Sequence, residues 1–322
     1  MKLELVKKYE PDNIDSHWGC VVLNEETTVS LVRAKDSGNY SLLFFTPEAM
    51  RLLQIDCLDT FSETYMNDNP VLFSKNGGFG IIKNQNELFF YHSIDSNPEK
   101  IEIENKKLFQ QVLPPKPRLR YPNPISNNDV LPVCFQHTFF EGNSSRYVAF
   151  LNLNMEKHKA QWESWTNLDE KNFPFHRQGS FEDPPVIDSV MLINDDVYVF
   201  TSGDSTSVNK WGMRYYGIVK TTKQGKVIDT LLDSGNLHMI DQKKRGVNGV
   251  FSSSQKYVIL TPVFQSDEWK GKQKLFSVET KGLIDIEFPR GFGKYPRIIQ
   301  HSGKYFWVYL WDTRHFAICQ EK

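Results

Sequence analysis

The sequence predicts an all-β protein assembled from four-stranded groups, and three observations carry that prediction. Helical periodicity is nearly absent. Short apolar, aromatic-rich segments are separated by clusters of Gly, Asn, Asp, Ser and Pro. This alternation returns roughly once every fifty residues along the chain. Only two windows read otherwise. "TPEAMRLL" (46–53) suits a capped helical turn and a half, with Thr46 as N-cap and Pro47 at the first helical position. "EKHKAQWESW" (156–165) fits a helix or the end of an amphipathic strand.

The groups follow in chain order. "WGCVVLN", "TTVSLVR", "YSLLFFT" and "MRLLQID" form the first, within 18–56. "GFGIIKN", "ELFFYHS", "KIEIE" and "LFQQVL" form the second, within 78–113. The third, within 131–165, holds "LPVCFQHTFF", "RYVAFLNLN" and "AQWESW" and lacks a fourth strand. "VIDSVMLIN", "DVYVFTSG", "RYYGIVKTT" and "KVIDTLLDS" make the fourth, within 186–234. The fifth contains "GVFSSS", "KYVILTPVF", "QKLFSVET" and "LIDIEFP". The sixth has "YPRIIQHSG", "KYFWVYLWD" and "HFAICQ", one strand short. An unassigned strand, "KLELVKKYE", opens the chain. A ring of such groups has to be closed, so residues 2–9 are expected to pair with 314–319 and complete the last group. The second strand of most groups is its most aromatic, as a segment buried on both faces requires.

Four-stranded groups at a near-constant period resemble a β-propeller, and the resemblance covers essentially the whole chain. It rests on rhythm. The Trp-Asp dipeptide of WD40 repeats occurs once, in "LWD" (310–312), and the double glycine of kelch repeats once, in "NGGFG" (76–80). Six blades are expected, with seven, one of them hidden in 160–185, as the alternative. Residues 1–322 are read as one domain. The Pro-rich "LPPKPRLRYPNP" (113–124) is read as a stiff connection between blades, because the strand rhythm resumes unchanged after it.

Composition narrows the function classes. Of 322 residues, 39% are hydrophobic and 24% charged, and the formal net charge of −1 gives no global attraction to nucleic acid or an anionic membrane. The N-terminal residues lack the apolar run of a signal peptide, and no apolar run is long enough to cross a bilayer. Cys20, Cys57, Cys134 and Cys319 are scattered, without zinc-ligand spacing, which fits reduced thiols in a cytoplasmic protein; export with a removed leader is the alternative. No cofactor and no metal is expected, and the chain is read as a monomer.

Propellers place ligands over the central channel, and the resemblance directs attention to the loops that lead from one blade into the next. Three of these carry three basic residues each: Lys116, Arg118 and Arg120; Lys243, Lys244 and Arg245; Arg290, Lys294 and Arg297. Aromatics are interleaved at Trp18, Tyr121, Phe175, Phe292 and Tyr295, and Arg177 lies in the loop before blade four. Trp211 and Trp269 sit in long loops between second and third strands. Converging, such loops would suit an anion or a glycan, since guanidinium forks match carboxylate or phosphate and aromatic faces suit sugars. The plainer alternative is that these side chains are solvated or hold loop carbonyls. A carboxylate site is the second candidate: Asp183 and Asp188 at the entrance to blade four, with Glu182 beside them and Asp15 and Asp129 at comparable entrances. His137 and His301, both after Gln, read as hairpin-end residues. Ser205 lies in a polar hairpin without a nucleophile-elbow context. The reading favoured is a non-catalytic propeller that binds a small molecule, a glycan or a protein partner at its loop face, with no nucleic acid and no membrane. The alternatives are a carbohydrate-active hydrolase or lyase and a protein-interaction scaffold.

Overall fold

The computed structural model describes residues 1–55, 70–84, 87–104, 118–119, 124–138, 144–167, 186–205, 213–234, 247–262 and 268–322. They form strands almost throughout, arranged as a propeller-like set of repeated sheets. Strand β1 (Leu3–Tyr9) is followed by the first sheet, in which β2 (Ile14–Asn24), β3 (Thr27–Ala34), β4 (Tyr40–Phe45) and β5 (Met50–Gln54) pair in order, each antiparallel to the next. Every residue of β4 is buried, while β5 is mostly exposed, the difference between a strand packed on both faces and an edge. The helical turn expected over 46–53 is absent. Thr46 Oγ1 does accept hydrogen bonds from the backbone N–H groups of Glu48 and Ala49, at 3.2 and 3.1 Å. That chemistry serves a tight turn as well as a helix start, and the chain then returns as β5.

The next group is β6 (Val71–Lys75), β7 (Gly78–Asn84), β8 (Glu87–Tyr91) and β9 (Glu99–Glu104). Asn76 and Gly77, both at positive φ (50° and 78°), form its first hairpin turn, as Asn-Gly favours. After it come β10 (Arg118–Leu119), β11 (Ile125–Ser126), β12 (Val130–Thr138), β13 (Ser144–Asn154) and β14 (Lys159–Asn167). The second helical window is therefore a turn at Met155–His158 running into β14, whose Trp162 is fully buried.

The third group differs from the expectation in an instructive way. Its short strand is the first, not the fourth: β10 pairs antiparallel with the edge of β12, Arg118 opposite Gln136 and Leu119 opposite Phe135. That strand comes from the Pro-rich segment read as a plain connection. Proline has no N–H to donate, and Pro117 and Pro122 flank the two residues at which the ladder is described. At the other edge, β14 pairs in parallel with β9, Lys159 opposite Glu102 through Gln161 opposite Glu104. The second and third groups thus share one eight-stranded sheet, β10-β12-β13-β14-β9-β8-β7-β6, and the described residues form five sheets where six separate ones were expected.

The remaining sheets follow the predicted rhythm. β15 (Val186–Ile193), β16 (Asp196–Ser205), β17 (Met213–Thr221) and β18 (Val227–Asp233) pair in order, with β11 parallel to the free side of β15. β19 (Val247–Phe251), β20 (Tyr257–Pro262), β21 (Lys274–Ser277) and β22 (Gly282–Asp285) make the next. The last has β23 (Pro296–Ser302), β24 (Tyr305–Leu310) and β25 (His315–Glu321), with β1 as its outermost strand. The expected pairing of the two chain ends is present: Leu3 lies opposite Glu321 and Tyr9 opposite Phe316, with a bulge between Leu5 and Lys7.

Among the described residues the apolar side chains collect in six clusters, each drawn from two successive strand groups. Leu72 and Phe79 pack with Val29 and Leu31 of the first group, whereas Phe73, the next residue along β6, turns to Leu131 and Trp162 of the third. That alternation is the period of two of a strand buried on both faces. Phe150 and Val148 meet Ile187 and Val199; Phe200 meets Val247 and Phe276; Ile259 and Leu275 meet Phe306. The sixth cluster joins the last group to the first, with Trp307 and Phe316 against Val32 and Phe45.

Buried side chains also stitch the sheets together by hydrogen bonds. Gln273 bonds both backbone groups of Ile298, with Ile298 N at 2.6 Å from its Oε1 and Ile298 O at 3.2 Å from its Nε2. Gln300 Oε1 accepts from Ser253 N at 2.7 Å, and its amide donates to Cys20 O at 3.4 Å. Ser189 Oγ accepts from Phe251 N at 3.0 Å.

Two ends of the assembly can be distinguished. The hairpin after β2 lies beside that after β23, since a Cβ on Gly303 would sit 3.3 Å from Glu25. Ser254, in the turn after β19, bonds His301 near the end of β23. Lys75, closing β6, bonds Asn128 O and Asp129, and Asn128 Nδ2 bonds Asn194 O in the turn after β15. We call this the turn end. The entry end is where β2, β6, β15, β19 and β23 begin.

Candidate functional site

At the entry end, the loop from β22 into β23 carries the one basic triplet whose side chains are described. Its course is set by two glycines. Gly291 and Gly293 have φ of 85° and 77°, and Lys294 N donates to Asp312 Oδ2 at 2.7 Å, so Asp312 holds the loop against the connection between β24 and β25. A Cβ on Gly293 would stand 3.1 Å from that same oxygen. Arg290 and Lys294 are exposed, and Lys294 Nζ lies 5.2 Å from the Tyr295 ring.

Arg297 is different. It sits at the start of β23, opposite Tyr309 of β24, and is half-buried. Its Nη1 donates to Gly271 O at 3.3 Å, and among the described residues no carboxylate pairs with it. Burial lowers its pKa and the neighbouring Tyr295 opposes that shift, but a guanidinium stays charged at physiological pH. A partly desolvated cation with no counter-charge among the described residues is suited to an anion.

The acceptor carbonyl belongs to a 3-10 turn, Glu268–Gly271, in which Trp269, Lys270 and Gly271 all have positive φ (46°, 55° and 73°). Trp269 pins that turn. Its ring packs against the cluster containing Phe200 and Phe276, lies 5.9 Å from Tyr216 edge-on, and has Lys274 Nζ at 5.3 Å. Arg297, Lys294 and Trp269 are thus brought to one side of the entry end. Trp18 is not with them: it packs on the cluster between the first two groups, with Nε1 donating to Ser16 Oγ at 2.9 Å. Phe292 is buried beside Phe288 in the core between the last two sheets, so it is packing and not platform.

Beside Arg297 lies a group that sequence reasoning did not assemble. Tyr309 is buried, with Trp311 5.9 Å away edge-on and His17 at 5.6 Å. Trp311 is 59% exposed. Arg314 Nη1 reaches Asp15 Oδ1 at 3.3 Å across the junction of the last and first sheets. Burial raises the Tyr309 pKa, which Arg314 lowers and Asp15 raises in smaller measure. Burial pushes the His17 imidazole down to about 4, against a hydrogen bond with the Gly19 backbone, and its Nε2 has no hydrogen-bond partner among the described residues. Three cues were present in the sequence: His17 next to Asp15, the exposed-turn "LWD", and Arg314. Nothing in their spacing says that they meet, because 15 and 314 are joined only by closure of the ring.

The other candidates stand as follows. Arg120, Tyr121, Arg177, Asp183, Trp211 and Arg245 lie outside the described residues. So do Lys116, Phe175, Glu182, Lys243 and Lys244. Asp188 is placed as backbone within β15, and Arg118 within β10. Asp129 does not share the entrance of Asp15. It lies at the turn end with its Oδ1 at 2.7 Å from Lys75 Nζ, because β10 and β11 carry the chain across before β12 begins. The same crossing puts His137, near the far end of β12, at the opposite end from His301, so the two are not equivalent hairpin residues. His301 is buried, its Nδ1 2.7 Å from Ser254 Oγ and its ring against Phe306 and Tyr257. Cys20, Cys134 and Cys319 are free and buried. Among the described residues no group of His, Cys, Asp and Glu is arranged to hold a metal ion, and no helix is long and apolar enough to cross a membrane.

No protein-family model matches the sequence, and no curated protein sequence matches it. Solved structures do. The β-propeller domain of Cps50 (Swd1) from Myceliophteria thermophila gives a TM-score of 0.41 at 8% identity, over 98% of this chain and 100% of that one. A glycosyl hydrolase from Bacteroides ovatus gives 0.40 at 11%, over 79% and 82%. A putative glycoside hydrolase from the same species gives 0.39 at 12%, over 97% and 88%. At such scores the propeller-like arrangement rests on the pairing and packing described above, and no activity is carried across from these proteins.

Proposed function

We propose that the chain is a single-domain, non-catalytic binding protein that takes an anionic or anionic-glycan ligand at its entry end. The eight-stranded sheet counts as two blades in this reading, joined at their outer edges, which makes a six-bladed ring; six clusters between successive groups support that count. The observation that carries the binding proposal is Arg297, a half-buried guanidinium whose described partner is one backbone carbonyl. Arg290 and Lys294 add exposed positive charge at the rim, and exposed Trp311 offers a ring face nearby.

The test is a thermal-shift and calorimetric titration of the purified protein with uronic and sulfated oligosaccharides, short polyphosphates and neutral oligosaccharides. A ligand that binds only the folded state adds about 2.7 kcal/mol at a hundredfold excess over its Kd. Arg297→Ala is expected to abolish the shift caused by anions, and Arg297→Lys to restore part of it. Arg290→Ala and Lys294→Ala, both at exposed positions, give a readout that folding does not confound: each is expected to weaken anion binding and steepen no melting transition. Anion binding unchanged by all four variants would sink the proposal.

A further inference from the structure

At the turn end, far from Arg297, the structure holds a cleft of about 640 Å³ where β9, the start of β12, and the β13–β14 hairpin come together. Its size falls within the range of small-ligand pockets. It arises where the second and third groups share their sheet: the parallel pairing of β14 with β9 leaves the hairpin at Met155–His158 overhanging Asn76 and Asp129. Leu153 and Ala160, both buried, with half-buried Met155, give it an apolar floor.

The polar lining divides into two sets. Glu104 and Asp129 are committed: Glu104 is paired with Lys159, and Asp129 with Lys75. Asn152 and Asn154 are committed too, Asn152 donating from Nδ2 to Glu163 at 2.6 Å and Asn154 Oδ1 accepting from Lys157 N at 3.0 Å. By contrast, the side chains of Asn76, Glu156, Lys157 and Gln161 make no hydrogen bond or ion pair with any described residue. The lining carries Glu104, Asp129 and Glu156 against Lys157 and Lys159, and Lys75, just outside it, neutralises Asp129.

We propose that this cleft is a second binding site and that it takes a neutral, hydroxyl-rich ligand, a short uncharged saccharide. A pocket without net charge gives neither an anion nor a cation an electrostatic reason to enter. Free amides and one carboxylate and one ammonium provide donors and acceptors in both senses, which suits vicinal hydroxyls, each of which donates and accepts. The apolar floor suits the C–H face of a sugar ring. The lining holds no aromatic residue, so recognition runs through hydrogen bonds.

The experiment uses maltotriose, cellotriose and xylotriose as probes, with trigalacturonate as the charged comparison, followed by calorimetry and saturation-transfer NMR. Gln161→Ala and Glu156→Ala alter exposed side chains with no structural bond, and their melting temperatures are expected to match the parent. At least one neutral trisaccharide is expected to bind, weakened tenfold or more in each variant and unchanged by Arg297→Ala. Its affinity is expected to be the same at low and high salt. No binding by any neutral trisaccharide would overturn the proposal. So would binding that survives both variants, or a preference for trigalacturonate lost on raising the salt. Because Arg297→Ala separates the two ends, failure here leaves the anion site standing, and the reverse holds as well.

Discussion

Gly249, within the β19 segment "VNGVF", sits under the ring of Phe200 from the neighbouring sheet. A Cβ built there would lie 2.4 Å from both Cγ and Cδ2 of Phe200 and 2.6 Å from Cε2. Carbon atoms in optimal contact are about 3.5–4.0 Å apart, so Gly249→Ala demands a retreat of the ring by about 1 Å. There is nowhere for it to go: Phe200, Met191 and Phe276 are all fully buried in that cluster. Overpacking of this kind costs about 1–3 kcal/mol, and a fully enclosed ring points to the upper end. Against it stands a gain of about 0.4–1 kcal/mol from the lost freedom of the unfolded chain, which applies because Gly249 has no positive φ. The net expectation is a loss of about 2 kcal/mol, or about 4 °C in melting temperature at about 2 °C per kcal/mol. Equilibrium unfolding in guanidinium chloride measures it, with Phe200→Leu and the double variant completing a cycle. The smaller side chain should recover about 1 kcal/mol or more of the clash, a coupling within the usual range for residues in contact. A Gly249→Ala variant as stable as the parent, or two effects that simply add, would refute the close packing of these two sheets.

Three further outcomes follow from the same structure. Gln273→Leu strands the N–H and carbonyl of Ile298 in a buried site and should cost about 2–4 kcal/mol by chemical denaturation; a cost under about 1 kcal/mol would mean the amide is dispensable. Burial holds the His301 pKa down at about 4, below its unfolded value, so the unfolded chain binds the proton first and stability falls as pH drops from 6.5 to 4. That group alone accounts for roughly 3 kcal/mol at the acid end, and His301→Gln should lessen the slope, leaving the part due to His17, which burial holds at about 4 as well; a parent curve already flat over that window contradicts it. Removing residues 1–9 uncovers the edge of β25 and takes away the hydrogen bond that Tyr9 Oη donates to Thr46 O, and should produce association on size-exclusion chromatography together with a lower melting temperature.

The strand rhythm was legible because burial on two faces leaves a strong mark: all six residues of β24, "YFWVYL", are apolar or aromatic and all are buried. Closure was legible for a related reason, since an opening strand and a last group one strand short fit each other. The inner strand of the third group was not. A two-residue ladder between prolines has no periodicity to detect, and the segment reads as a connection until its partner β12 is seen beside it. With β12 read as an inner strand, Asp129 falls at the wrong end, and the cleft beside it has no sequence signature. Arg297 was found because basic residues cluster in its loop. Its half-burial without a counter-ion among the described residues depends on where Gly271 and the strands of two sheets lie. Arg314 carries no such mark, because its partner Asp15 is about three hundred residues away in the chain.

The parallel pairing of β9 with β14 has a counterpart that explains why the ring uses it. At the junction of the last two sheets, Leu3 N donates to Glu287 O at 2.9 Å and Glu287 N to Met1 O at 3.0 Å, so the start of β1 runs parallel to the chain just past β22. In both places an outermost strand, the one that would present unpaired backbone groups, is sealed by the outermost strand of its neighbour. The outer strands of adjacent groups run in the same direction, so such a seal is necessarily parallel. It is also necessarily short, because twisted sheets radiating from a centre diverge toward the rim. Where no such seal forms, the edges are blunted by charge instead: Arg51 of β5 pairs with Asp95, and Asp229 of β18 lies 2.8 Å from Lys281. Beyond the seal at residues 1–3, β1 is protected by a bulge at Val6 followed by Lys7 and Lys8. The exposed apolar residues Leu52, Ile228 and Leu283 all lie on these outer strands, and the neighbouring charges and short seals are what keep such edges from templating a further strand.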